Sequence, residues 1–86
     1  MSPSPRPLHQ RVSKRLQRQL EDHFERRGIG EVFNAPIDVI LGMHDAVVPD
    51  LVVVTRPAQV TDRWIEGPPA IVVEILSPST GSRDRH

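Results

Sequence analysis

Two acidic residues stand inside otherwise apolar, β-branched runs: Asp50 in Pro49-Asp50-Leu51-Val52-Val53-Val54 and Glu74 in Ala70-Ile71-Val72-Val73-Glu74-Ile75-Leu76. Carboxylates are depleted from strands and costly to bury unpaired. Their presence there suggests that the charge is used, most simply on a divalent cation such as Mg²⁺. Metal-dependent phosphodiester hydrolysis needs such convergence: carboxylates hold an ion that activates water and neutralises charge on the phosphate. A backbone carbonyl often completes a site of this kind, and Ile75 is the natural donor. The bland alternative is a pair of strand-end carboxylates facing water, which the 24-residue separation alone does not exclude.

A proline-aspartate, a connection and then a strand acid is the order found in PD-(D/E)XK nucleases. The words Asp38-Val39-Ile40-Leu41, Val48-Pro49-Asp50-Leu51, Ile65-Glu66-Gly67 and Val73-Glu74-Ile75-Leu76-Ser77-Pro78-Ser79-Thr80 resemble one branch of that superfamily, the Uma-two family of restriction endonucleases. The resemblance covers nearly all of the chain after Leu8. It implies an α/β, restriction-endonuclease-like mixed sheet, a Mg²⁺-dependent DNA endonuclease function, Asp50 and Glu74 as catalytic acids, and Asp50, Glu74 and Ile75 as metal donors. Asp38 matches a further acid of the family pattern, and Glu31, in Gly30-Glu31-Val32, matches the place where related nucleases carry an assisting acid near the first helix; both are candidates for site support.

The nuclease pattern places a lysine two residues after the second acid, where this chain has Leu76. By resemblance, the Uma-two lysine lies on the helix after the Ser-Pro-Ser-Thr loop, about one turn beyond the residue matching Asp84. Migration of that kind can preserve chemistry, since the ammonium needs only to reach the site in space. The expectation is therefore a truncated, inactive domain: residues 1–7 a flexible proline-rich tail, residues 8–86 an incomplete restriction-endonuclease-like domain. The rival from another class is a noncatalytic nucleic-acid-binding or dimerisation module, with a homodimer as its simplest assembly.

Other chemistry is poorly supported. His9 and His44 lack a second histidine at ligand spacing and read as isolated surface residues. Ser77, Ser79 and Thr80 have no Gly-x-Ser-x-Gly setting, and Gly28-Ile29-Gly30 lacks the spacing of a phosphate loop.

The elements that must position Asp50 and Glu74 follow from periodicity. Leu8, Val12, Leu16, Leu20 and Phe24 recur every fourth residue, which predicts an amphipathic helix over about 8–27, started by Pro7 and stopped at Gly28, with that stripe packed as one face. Glu31 to Leu41 reads as one strand interrupted by Pro36, Val47 to Thr55 as a second and Ala70 to Leu76 as a third, the last two apolar on both faces and so covered on both. Arg56 to Pro69 reads as a connection in which Trp64 caps the core. Ser82 or Asp84 could cap a further helix.

The net charge of zero hides an asymmetry, since seven Lys/Arg and three Asp/Glu fall in residues 1–30 against four and eight in residues 31–86. Lys14, Arg15 and Arg18 of the basic helix are candidates for DNA phosphates, against the plainer reading of a solvated face. There is no cysteine, which excludes disulfides and thiolate zinc sites and fits a cytoplasmic protein. No apolar run nears the ~20 residues of a membrane span.

Overall fold

The computed structural model describes residues 6–76. The expectations for residues 1–5 and for Ser77 to His86, including Asp84 and the capping residues, lie outside the described residues.

Helix α1 (Pro7–Leu20) opens with proline in its first turn, where a missing N–H costs nothing. It runs on into a wide turn, Glu21–Glu25, closed by Arg26 N–H to Glu21 C=O and Ile29 N–H to Phe24 C=O, both five residues apart. Gly28, at φ 72°, ends it in the left-handed region that glycine enters without a Cβ penalty.

The buried side of α1 differs from the expected stripe. Leu8 and Val12 are 58% and 41% exposed, and no residue of α1 is fully buried. His9, Ser13, Leu16, Gln17 and Leu20 are the half-buried positions. The reason is geometric. A row spaced by four residues advances about 40° per step on an α-helix, so a stripe that faces the sheet at Leu16 and Leu20 has rotated off it by Leu8. The polar His9 and Ser13 take the vacated side. The five-residue hydrogen bonds of the Glu21–Glu25 turn absorb part of the same drift and leave Phe24 half-buried.

Six short strands follow: β1 (Glu31–Asn34), β2 (Asp38–Ile40), β3 (Ala46–Val47), β4 (Leu51–Val54), β5 (Trp64–Glu66) and β6 (Ile71–Val73). They form two three-stranded sheets, β1-β4-β6 and β3-β2-β5. The first is antiparallel throughout, with Glu31 opposite Val54 and Leu51 opposite Val73. The second is mixed, β2 running parallel to β5 and antiparallel to β3. The fold is α/β, with an N-terminal amphipathic helix as expected, but its strands divide between two sheets.

The expected strand Glu31 to Leu41 is two strands in different sheets, separated at the cis Ala35–Pro36 bond; proline removes a ladder donor there. The expected second strand is likewise split into β3 and β4 around the fully buried Pro49. The supposed connection contains β5, whose Ile65 is buried while Trp64 stands 38% exposed, its ring N–H donating to the Glu66 carboxylate at 2.8 Å. Ile65, not Trp64, enters the core.

β4 is the centre of the molecule. All four of its residues are buried, as its unbroken apolar run predicts. Val52 and Val54 meet Val39 of β2 and Ile65 of β5 in the core between the sheets; Leu51 and Val53 occupy the alternate face. α1 and its extension pack against β4 and β1, where the Glu25 carboxylate accepts the Val32 N–H at 2.8 Å and Asn34 donates to Gln17 at 3.2 Å. β6, by contrast, leaves Val72 exposed, so the expected cover on both faces holds for β4 and fails for β6 among the described residues.

Candidate metal and catalytic site

Asp50 sits in the bend immediately before β4, behind the rigid Pro49. Its backbone carbonyl accepts the Ala35 N–H at 3.0 Å and its N–H donates to the Val73 carbonyl at 3.0 Å. Its side chain crosses to the next strand: Oδ2 accepts the Ile75 N–H at 2.7 Å. Oδ1 lies 3.4 Å from Nε2 of His9 on α1. One residue thus joins the end of β1, the end of β6 and the start of the helix.

The ladder between β4 and β6 pairs Leu51 with Val73, and its next step would set Asp50 opposite Glu74. The chain leaves the ladder there, and the Ile75 N–H turns to the Asp50 carboxylate where a backbone carbonyl would otherwise serve. The peptide joining Glu74 to Ile75 is thereby drawn against Asp50. Glu74 itself is exposed, and no hydrogen bond ties its carboxylate to another described residue. The proline-aspartate of the nuclease order is thus bonded to the residue that follows the strand acid.

The comparisons with known proteins bear on the same residues. The whole chain, residues 1–86, matches the family Uma2, described as "Putative restriction endonuclease". The chain belongs to the Uma2 family. Comparison with curated proteins gives no match. The resemblance carried by Pro49-Asp50 and by the Val73-to-Thr80 words is therefore a true membership, and it gives this Uma2 chain a nuclease-like function at the level of the family.

The remaining candidates are distributed unevenly in the Uma2 fold. Asp38 opens β2 in the second sheet and is exposed. Glu31 pairs with Val54, at the other end of β4 from Asp50; four residues of strand separate them, roughly 13 Å, so Glu31 is not brought to Asp50. Lys14, Arg15 and Arg18 are exposed. They lie about 140° to 240° around α1 from His9, and so on the side of the helix turned away from Asp50. With Leu8, Arg11 and Val12 they line a shallow groove.

His9 is the site residue that sequence reasoning missed. Nothing in its spacing marks it, because its partner is 41 positions away in the chain. Its only signal is that it lies on the sheet side of α1 once the helix is phased from Leu16 and Leu20 rather than from Leu8.

Among the described residues, no three His, Cys, Asp or Glu side chains gather closely enough to form a cation cage. What the structure offers is a smaller donor set: the Asp50 oxygen beside His9, with exposed Glu74 next to the bonded peptide. Such a set fits Mg²⁺, which retains several waters and is commonly held by only one or two carboxylates.

The Asp50–Ile75 bond has a structural consequence of its own. An Asp50→Ala variant leaves the part-buried Ile75 N–H without its charged acceptor and should lose about 1 to 3 kcal/mol, whereas Asp50→Asn keeps an acceptor oxygen and should lose less. Urea unfolding followed by Trp64 fluorescence checks this; equal stabilities for wild type and Asp50→Ala would show that the bond contributes nothing.

Proposed function

We propose that this Uma2 chain carries the carboxylate half of a Mg²⁺-dependent DNA endonuclease site, in which Asp50 and Glu74 are the catalytic acids and the Ile75 carbonyl is a further metal donor. The observation that supports this reading is the Asp50–Ile75 hydrogen bond, which ties the first acid to the residue that follows the second. When bound, the ion would supply charge neutralisation at the phosphate and a lowered pKa for the attacking water.

The protein's own residues do the positioning. Pro49 is buried and Asp50 is anchored through both its backbone and Oδ2, so its other oxygen, beside His9, is held from a fixed base. Glu74, one residue beyond β6 and exposed, is the adaptable partner that can close on an ion. DNA would approach from the side on which Glu74 is open. Lys14, Arg15 and Arg18 would meet a different stretch of backbone, because α1 stands between them and Asp50.

Among the described residues, no group stands where it could orient the attacking water. Leu76 occupies the place of the nuclease lysine and is 82% exposed, and the one lysine of the chain, Lys14, is on the far side of α1. We therefore read the 86-residue chain as competent to bind a cation and deficient in hydrolysis.

Isothermal titration of the chain with Mg²⁺ and Mn²⁺ tests the site directly. Saturable binding is expected for the wild type and its loss in both Asp50→Asn and Glu74→Gln. Indistinguishable heats for all three proteins would overturn the proposal.

A further inference from the structure

Two outer faces of the molecule carry opposite charge. Between Pro7 and Leu20, α1 holds Arg11, Lys14, Arg15 and Arg18 and no acid. At about 100° per residue these four exposed cations fall within an arc of about 100°, on the side of α1 turned away from the sheet. The ion pairs among the described residues are His9 with Asp50 and Arg26 with Asp22, so none of the four is paired there. Leu8 and Val12, both exposed, border the arc and line the same shallow groove.

The face on the far side of the molecule is its counterpart. In the sheet β3-β2-β5, Val39 and Ile65 lie side by side and point inward to β4. Alternation along the strands puts Asp38 beside Trp64, and Ile40 beside Glu66, on the outer side. Asp38, Trp64 and Glu66 are exposed and Ile40 is half-buried. The ring N–H of Trp64 donates to the Glu66 carboxylate at 2.8 Å, which fixes the indole next to an acid. An indole held beside carboxylates suits an arginine, whose guanidinium can stack on the ring and bond the oxygens.

We propose that the outer face of α1 docks on the outer face of the β3-β2-β5 sheet of a second copy of this chain. Arg11 and Arg15 meet Asp38, Glu66 and the Trp64 ring, and Leu8 and Val12 cover the apolar ground around Ile40. Each face combines charge with exposed apolar surface, and the two complement each other in both respects. A phosphate backbone would match the cations alone and leave Leu8 and Val12 in water; DNA would therefore compete with the neighbouring copy for these cations without filling the groove. α1 packs on β1 and β4 from one side, and the β3-β2-β5 sheet covers β4 from the other. A copy that offers α1 to its neighbour thus cannot receive that neighbour's α1 on its own far face, so the contact is head-to-tail and runs on to a third copy. The inference uses no residue of the cation site and stands apart from it.

Sedimentation equilibrium of the full chain tests this, at concentrations up to about 1 mM, in about 0.1 M and about 1 M salt, between which the screening length falls from ~10 to ~3 Å. Two double variants remove one face each: Arg11→Gln with Arg15→Gln, and Asp38→Asn with Glu66→Gln, both first shown to be folded by circular dichroism. The weight-average mass of the wild type should climb with concentration past that of a dimer and return to the monomer value in high salt. Each variant alone should stay monomeric. Mixed in equal amounts, the two should reach twice the monomer mass and stop there, because each keeps the one face that the other lacks, and Trp64 fluorescence should change on mixing. A wild type that is monomeric throughout would overturn the proposal, as would a mixture no heavier than its parts. A wild-type mass that levels off at the dimer would overturn the head-to-tail arrangement.

Discussion

Leu51→Ala is expected to cost about 3 to 5 kcal/mol, while Leu8→Ala should change stability by no more than about 0.5 kcal/mol. Both remove the same atoms from a leucine in an apolar run. Leu51 is fully inaccessible in β4, whereas Leu8 is mostly exposed at the start of α1. A chain of this length has roughly 4 to 13 kcal/mol of stability in total, so truncating Leu51 should leave an appreciable unfolded population at room temperature. Urea titrations of the two variants, followed by Trp64 fluorescence and circular dichroism, make the comparison. Similar losses for both would mean that α1 is seated on the sheet along its whole length, with Leu8 and Val12 in contact. The result would also bear on the site, since a helix rotated to bury Leu8 would carry His9 away from Asp50.

The second large effect concerns hydrolysis. A lysine introduced as Leu76→Lys should raise Mg²⁺- or Mn²⁺-dependent nicking of plasmid DNA above the level of the wild-type chain. Position 76 is two residues beyond Glu74 and next to Ile75, whose N–H is bonded to Asp50. Its present side chain is exposed, so the replacement costs little packing. A positioned proton-transfer group contributes about 10² to 10⁴ in rate, enough to separate a visible nicking reaction from background. The triple comparison is wild type, Leu76→Lys, and Leu76→Lys combined with Asp50→Asn, the last expected to be inert. Cleavage by the wild type that disappears in Asp50→Asn would refute the need for a lysine at this place. An inert Leu76→Lys protein that still binds the cation would show that position 76 cannot reach the reacting water.

The order of acids, the central apolar strand and the N-terminal helix were legible from the sequence because each rests on a local pattern. Asp50 after Pro49, the four consecutive apolar residues of β4, and Gly28 as a stop are all read within a few neighbours. The division of Glu31 to Leu41 between two sheets was not legible. Pro36 signals an interruption, but whether the chain then bends at an edge or crosses to a new sheet is decided by packing against Ile65, 29 residues later. β5 escaped notice because it is only three residues long and is embedded among proline, aspartate and arginine, with a single buried side chain. The four-residue stripe misled in a more specific way. Its regularity suggested one face, whereas α-helical geometry spreads that spacing over more than a quarter of the circumference between Leu8 and Leu20, so that His9 and not Leu8 takes the sheet side. The resemblance to the Uma2 family supplied Asp50 and Glu74 as a pair; the bond from the Ile75 N–H to Asp50 belongs to the tertiary structure.

The wide turn at Glu21–Glu25 accommodates one residue more than an α-helix needs to cover the same rise. A helix interrupted in this way behaves as a regular one with a single surplus residue looped into it. The residues before the turn, which place His9 against Asp50, and Glu25 at its end, which reaches the edge of β1, are thereby decoupled in register. A Uma2 relative one residue shorter between Leu20 and Arg26 would form a plain helix there and present both groups unchanged. Single-residue gaps in comparisons of this family are therefore best sought inside the helix at that turn, rather than moved to the glycine loop that follows it.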